Sequence, residues 1–330
     1  MSLTETPSNY AAIARQLVSI WDECLEDGSF TVISGGPFDP AKATRVLSLA
    51  HHVRRLAVAA LDDIDSDGVL VSIPTIRACF ECSITAMWIA QSADGVQAWL
   101  AQEPATRRAI RASLRKADSP ELREVAAKVA SIEPLGIESS SGTQADAFAE
   151  MTNDLERGRD LYVIYRFLCG FNHASPMLTD QYLALDESPG SNGYEFVPEP
   201  EEPDQAPFIH FIACSMLWAL SAVRFIQKDR RSLRSQLRTA AQELGAPTEY
   251  QLTAQARARQ DGLKWGGPKK LTAKDVRSAA KAKGLEYALS PGTATSTPAH
   301  HVWAVTDIGT TMATFATIED AATHIRNHSN

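Results

Sequence analysis

The chain has 330 residues, 44% of them hydrophobic and 22% charged, with a formal net charge of −8. These values exclude wholesale disorder, collagen-like repeats and disulfide scaffolds, and the length suits about two domains. The five cysteines (Cys24, Cys79, Cys82, Cys169, Cys214) are odd in number and mostly in apolar surroundings, which fits reduced thiols. Cys79 and Cys82 form a Cys-x-x-Cys, but inside a helical pattern with no preceding strand, so no redox role is assigned. The segment MSLTETPSNY carries neither a basic nor an apolar leader pattern. The stretch 207–223 sits at the short limit for a membrane span and reads as a core helix. The expectation is a cytoplasmic protein with no membrane segment.

In chain order, apolar residues at i, i+3, i+4 spacing predict a first helix over 9–26, carrying Ile13, Leu17, Ile20, Trp21 and Leu25. Asp39 as N-cap and Pro40 at the first helical position open a second, with Val46, Leu49, His52, Val53, Leu56 and Leu61, broken by Ser66-Asp67-Gly68. A third begins near Pro74 and runs to about Ala90, apolar on nearly every face and therefore central. More polar helices follow over 104–116 and 120–131, then a loop over 136–144. One long helix with Phe148, Met151, Leu155, Leu161, Tyr162, Tyr165 and Leu168 ends near Asn172-His173. The acidic, Pro- and Gly-rich segment 186–205 reads as an irregular loop. The apolar helix from Phe208 runs on into a basic amphipathic extension through Arg238. In the tail, Thr272 caps a short helix stopped by Gly284, two strands lie at 301–305 and 312–315, and Thr317 opens a last helix. The fold class read from this pattern is mainly α: a helical bundle over 1–245, a basic linker or helix over 246–269, and a small α+β appendix over 270–330. Ile76, Ile84, Trp88, Leu168, Phe171, Leu217 and Trp218 are expected in the core.

Two constellations carry chemistry. In Tyr165-Arg166-Phe167-Leu168-Cys169-Gly170-Phe171-Asn172-His173, Arg166 and His173 are seven residues apart, almost two helical turns and roughly 10 Å along one face. A guanidinium stays charged and grips phosphate through a fork of donors, while an imidazole can take and return a proton near neutrality. Together they suffice to cleave RNA without a metal: His173 would deprotonate a 2′-hydroxyl and Arg166 would stabilise charge growing on the phosphate. The bland alternative has His173 finishing the helix at its negative end and Arg166 pairing with a carboxylate. Arg77 and Glu81, at i, i+4, are the only charges of the central helix. They form either a closed internal pair or the lining of a polar pocket, where a tetrad with Arg166 and His173 is expected.

The Arg-x6-His element at the end of an apolar helix resembles the signature of the HEPN superfamily, small all-α proteins. Many of these are ribonucleases of toxin–antitoxin and antiviral defence systems, and many dimerise. The wider pattern (Arg77 and Glu81, then Tyr165, Arg166, Leu168, His173 and Ser175) is similar to a related group of bacterial all-α proteins whose function is not established. The resemblance covers about residues 10–230. It implies a homodimeric, metal-independent ribonuclease with His173 as acid/base, Arg166 as phosphate clamp, and Glu81 and Arg77 in support. Phe167 stands where active members often carry a polar residue, and Gly170 interrupts the helix.

Charge is unevenly spread. From residue 228 to 283 there are fourteen Lys/Arg against five Asp/Glu. Arg231, Arg234, Arg238, Arg257, Lys264, Lys269 and Lys270, with Trp265 to stack on a base, make this the candidate nucleic-acid surface. It supports a second reading, a non-catalytic helical module that binds nucleic acid or a protein partner. A third is a structural subunit whose apolar helices bury against a partner. His324 and His328 have metal-ligand spacing near the C-terminus, but no metal site is assigned. Phosphate-loop, dinucleotide, nucleophile-elbow and His-Glu-x-x-His motifs are absent, and no cofactor is expected.

Overall fold

The computed structural model describes residues 7–26, 40–129, 139–186, 188, 193–227 and 231–262, and the strand backbones at 285–290, 299–306 and 309–315. The protein is mainly α, and the chain divides into two compact units, Met1–Leu263 and Lys264–Asn330.

The helical unit is built around α1 (Pro7–Glu26), α2 (Pro40–Asp67), α3 (Val69–Gln91) and the later helix α11 (Gln205–Ile226). On α1, Ile13, Leu17, Ile20 and Trp21 are buried as their spacing demands, whereas Leu25 ends 43% exposed. The inward seam of α2 is Ala43, Val46, Ala50, Val53, Ala57, Ala60 and Ile64. Its strict alternation of three- and four-residue steps, filled mostly by alanine, lets α3 approach closely. The helices α3 and α11 pack on each other and on α2. By length and composition each could cross a membrane, yet most of each is buried inside the bundle. All seven residues expected in the core are buried, with Ile76, Ile84, Trp88, Leu168 and Leu217 fully so.

The helix α3 begins five residues before the expected Pro74, which lies inside it. Proline there removes one ladder bond at a cost of about 3 kcal/mol. Burial of Val69, Leu70 and Ile73 offsets that. A cap from far along the chain adds to it: the Glu202 carboxylate accepts from Leu70 N at 2.9 Å, a negative charge on the positive helix end. Gly68, at φ +91°, makes the turn into α3, and a Cβ there would sit 2.7 Å from the same carboxylate.

Shorter helices follow: α4 (Gly95–Leu100), α5 (Gln102–Arg115), α6 (Pro120–Lys128), α7 (Gly142–Asp146), α8 (Phe148–Asn153) and α9 (Gly158–Asn172). Part of the expected 136–144 loop is therefore ordered: Ser139, Ser140 and Ser141 clasp the Asp94 carboxylate, and α7 starts at Gly142. The single helix expected over 148–172 is two. Asp154–Arg157 turns the chain, with Arg157 at φ 59°, and Gly158 restarts the helix. After α10 (Pro176–Thr179) and a 3₁₀ turn (Asp180–Tyr182), strands β1 (Leu183–Leu185) and β2 (Tyr194–Phe196) form an antiparallel hairpin, with β2 inside the segment expected to be irregular.

The helix α12 (Arg231–Glu243) is separate from α11, not its continuation. Residues 246–262, read from the sequence as the start of a linker, belong to the helical unit. Tyr250, Leu252 and Ala256 are buried there, the last on α13 (Ala254–Gln260). The extended stretch before α13 bonds to both sides. Trp218 donates to Pro247 O at 2.9 Å, Gln91 to Tyr250 O at 2.6 Å, and Thr253 N to Asp154 O at 2.7 Å. In the second unit β3 (Leu285–Ser290), β4 (Ala299–Thr306) and β5 (Gly309–Phe315) form an antiparallel sheet in that order. Two of these strands match expectation and β3 was not expected. The helices read at Thr272 and Thr317, with Gly284, lie outside the described residues.

Candidate active site

The site forms where α9 lies against α3. Leu161, Leu168 and Phe171 set the buried stripe of α9. At 100° per residue, the Cα positions of Tyr162, Tyr165, Arg166, Cys169 and His173 then fall within about 100° of arc on an adjoining, partly solvated face. Arg166 and His173 are exposed, and Tyr162, Tyr165 and Cys169 are half-buried.

Tyr165 is the residue of this face that meets α3. Arg77 donates from Nη2 to Tyr165 Oη at 2.7 Å, and its guanidinium lies over the phenol ring 5.0 Å from the centroid. On its own helix Arg77 pairs with Glu81 at 3.2 Å, with the side chains 22% and 39% exposed. The pair is thus a rim pair open to solvent, not the sealed internal pair that the apolar sequence of α3 suggested. Phe148 packs on Tyr165 at 4.4 Å between centroids, and Tyr162 stacks at 6.2 Å. Burial works against the Arg77 charge, but the Tyr165 hydrogen bond and the nearby Cys169 and Glu81 outweigh it and lift its pKa. Burial, then Glu81, hold the Tyr165 phenol above its ordinary value despite Arg77. The Arg166 guanidinium, bonded to the Tyr162 phenol one turn back, is also lifted.

The expected tetrad is therefore not closed. Arg77 and Glu81 come together, but neither has a hydrogen bond or ion pair to Arg166 or His173 among the described residues. Arg166 pairs with a phenol, not the carboxylate of the bland alternative. His173 follows the last helical residue in extended backbone, φ −105° and ψ 157°. Just beyond, Ser175 donates to Gly170 O at 2.5 Å and caps α10 through Leu178 N. A Cβ at Gly170 would meet only the Met177 side chain, at 2.5 Å from Sδ, and that side chain is exposed and free to move aside. Phe167 joins Phe171, Phe208 and Phe211 in an aromatic cluster.

Of the candidate nucleic-acid residues, Arg231, Arg234 and Arg238 are exposed on α12, whose Leu233, Leu237 and Ala241 are buried. Arg234 and Arg238, with Arg224, Thr248 and Glu249, line a cleft of about 420 Å³ in which Arg224 and Glu249 are ion-paired. Arg257 is exposed on α13, beside a different cleft. Lys264, Trp265, Lys269 and Lys270 lie outside the described residues, as do His324 and His328.

The sequence reading missed Tyr165 as the acceptor for Arg77, although its steps of four and three from Leu161 and to Leu168 place it beside the buried stripe. It also missed Asp154. That carboxylate is buried, takes two bonds from Arg259 (3.0 and 2.5 Å) and one from Trp88 Nε1 at 3.0 Å, and fixes the turn that starts α9. No local pattern signals it, because its partners stand 66 and 105 residues away. Compared with known proteins, the chain matches no family model, no curated protein and no solved structure.

Proposed function

We propose that the protein is a HEPN-like, metal-independent endoribonuclease of a defence or toxin system, acting as a homodimer in the cytoplasm. The observation that carries this reading is that Arg166 and His173 are both exposed, with the Cα of His173, the residue just past α9, on the helical arc of Arg166. His173 takes the 2′-hydroxyl proton, the 2′-oxygen attacks phosphorus, and the 5′-oxygen leaves with a returned proton, giving a 2′,3′-cyclic phosphate. Arg166 holds the non-bridging oxygens, and Arg77, anchored by Tyr165 and Glu81, adds positive potential at the edge of the same face. The test is cleavage of a mixed-sequence RNA in EDTA. Activity should fall at least about 100-fold in His173→Ala. That residue is exposed, so its loss leaves the fold intact. Undiminished cleavage by the variant refutes the assignment.

The arginine row on α12 favours a second reading, a non-catalytic module that holds a polyanion through its phosphates. It predicts salt-sensitive RNA binding that survives His173→Ala and is lost in Arg231→Ala/Arg234→Ala/Arg238→Ala.

A further inference from the structure

The hairpin of β1 and β2 pairs Leu183 with Phe196 and Leu185 with Tyr194. Side chains alternate along a strand, so these four lie on one face of the hairpin as two cross-strand pairs. All four are open to solvent: Leu183 41%, Leu185 65%, Tyr194 65% and Phe196 71%. Single exposed apolar residues are ordinary, but four large ones on one face of a two-stranded sheet mark a contact surface. The sheet contains β1 and β2 alone, so each strand keeps a free edge among the described residues.

The surroundings select the partner. From residue 174 to 223 the sequence has eight Asp/Glu and no Lys or Arg. Three of the acids are used locally: Glu202 caps α3, Asp204 caps α11 and Asp186 accepts from Ser188 N. Asp180, Glu199 and Glu201 stand exposed around the hairpin, and Glu195, opposite Ala184, is exposed on its other face. This charge repels a nucleic-acid backbone and also disfavours a symmetric contact with the same face of a second copy.

We infer that this hairpin face docks a polypeptide segment of another protein that combines basic with apolar side chains, laid extended along the sheet. The apolar residues of that segment cover Leu183, Leu185, Tyr194 and Phe196, and its Lys or Arg residues face the acidic rim. The inference is independent of the ribonuclease reading, since it uses neither Arg166 nor His173.

The test titrates the full chain into three fluorescein-labelled decapeptides, alternating Lys–Val, Lys–Ser and Glu–Val, followed by anisotropy at low salt. The Lys–Val peptide should bind and the other two should not. Tyr194→Ser/Phe196→Ser should weaken Lys–Val binding at least about tenfold, and Glu199→Lys/Glu201→Lys should do the same. These side chains are exposed, so circular dichroism should show both variants folded. Equal binding of the Lys–Ser peptide, unchanged affinity in the Tyr194/Phe196 variant, or no binding of Lys–Val by the wild type overturns the inference. So does a wild-type dimer that the Tyr194/Phe196 variant dissociates, which would make a second copy the occupant.

Discussion

Asp154 ties the two parts of the helical unit that local sequence does not connect, and replacing it tests that role. Its side chain is 6% exposed, and its oxygens accept from both terminal nitrogens of Arg259 and from Trp88 Nε1. In Asp154→Ala, Arg259 keeps its charge without a partner and the indole N–H is stranded in the core. Removing one member of a buried ion pair costs about 3–5 kcal/mol. A stranded neutral donor costs about 1–3 kcal/mol. The two losses share one network and do not add. The Arg259 side chain is also 24% exposed, so water recovers part of its solvation. We therefore expect a destabilisation of about 4 kcal/mol, read as a drop in the urea midpoint of the helical unit by tryptophan fluorescence and near-ultraviolet dichroism. Asp154→Leu/Arg259→Met removes both charges, so it should recover most of the loss, leaving about 1–2 kcal/mol for the unpaired indole. A midpoint within experimental error of wild type in Asp154→Ala, or a double variant no more stable than the single one, would refute the reasoning.

Two further outcomes follow from close geometry elsewhere. A Cβ added at Gly158 would lie 1.7 Å from Thr152 O, whereas one at Gly142 meets nothing within 4 Å. Gly158→Ala should lower stability by at least about 2 kcal/mol while Gly142→Ala stays near neutral; thermal melts of the two side by side decide it. Burial raises the Asp94 pKa, but hydrogen bonds from Ser141, Ser140 and Ser139 outweigh it and hold the carboxyl below its ordinary value. With the folded pKa below the unfolded one, this contribution is complete above about pH 4 and fades as pH falls through the folded value. The stability difference between wild type and Asp94→Asn, measured by urea unfolding across pH 6 to 3, should therefore shrink toward the acid end. A difference that stays constant or grows would contradict the clasp.

Much of the bundle could be read from periodicity, and the departures share one cause. The sequence pattern of α2 gives weight to its leucines, yet Leu49 and Leu56 lie on the flank while alanines form the seam. Alanine contributes little to an apolar count, but it decides how near two helix axes can come. Pro74 reads locally as a helix start. It becomes an interior residue because Glu202, 132 positions from its Leu70 partner, caps the turn before it. The break at Asp154–Arg157 is written only in Asp154, whose tertiary bonds outweigh the local preference to stay helical. The boundary expected at residue 245 moves for the same reason. Residues 246–253 look like a linker until their carbonyls meet Trp218, Ser221 and Gln91. β3 is a miss of another kind, since its signal is local: Leu285, Tyr287 and Leu289 alternate with smaller or polar residues at the period of a strand, yet no strand was expected there.

The candidate site shows how one position along a helix redistributes chemistry. Tyr165 and Arg166 are adjacent, and the sequence reading set Arg166, not Tyr165, against Arg77. The buried stripe settles it. Leu161 and Leu168 put Tyr165 beside the core edge, and Arg166, turned a further 100°, is left in solvent next to the position of His173. Four charges closed upon one another inside the bundle would have been satisfied and inert. The arrangement instead splits the two arginines. Arg77 is held by a phenol and a carboxylate, which keep it charged and fixed at the rim. Arg166, lifted by the Tyr162 phenol, remains exposed, and among the described residues no ion pair joins it or His173 to a carboxylate. The fixed, ion-paired Arg77 thus stands apart from the exposed Arg166, which leaves Arg166 as the guanidinium that the ribonuclease proposal needs.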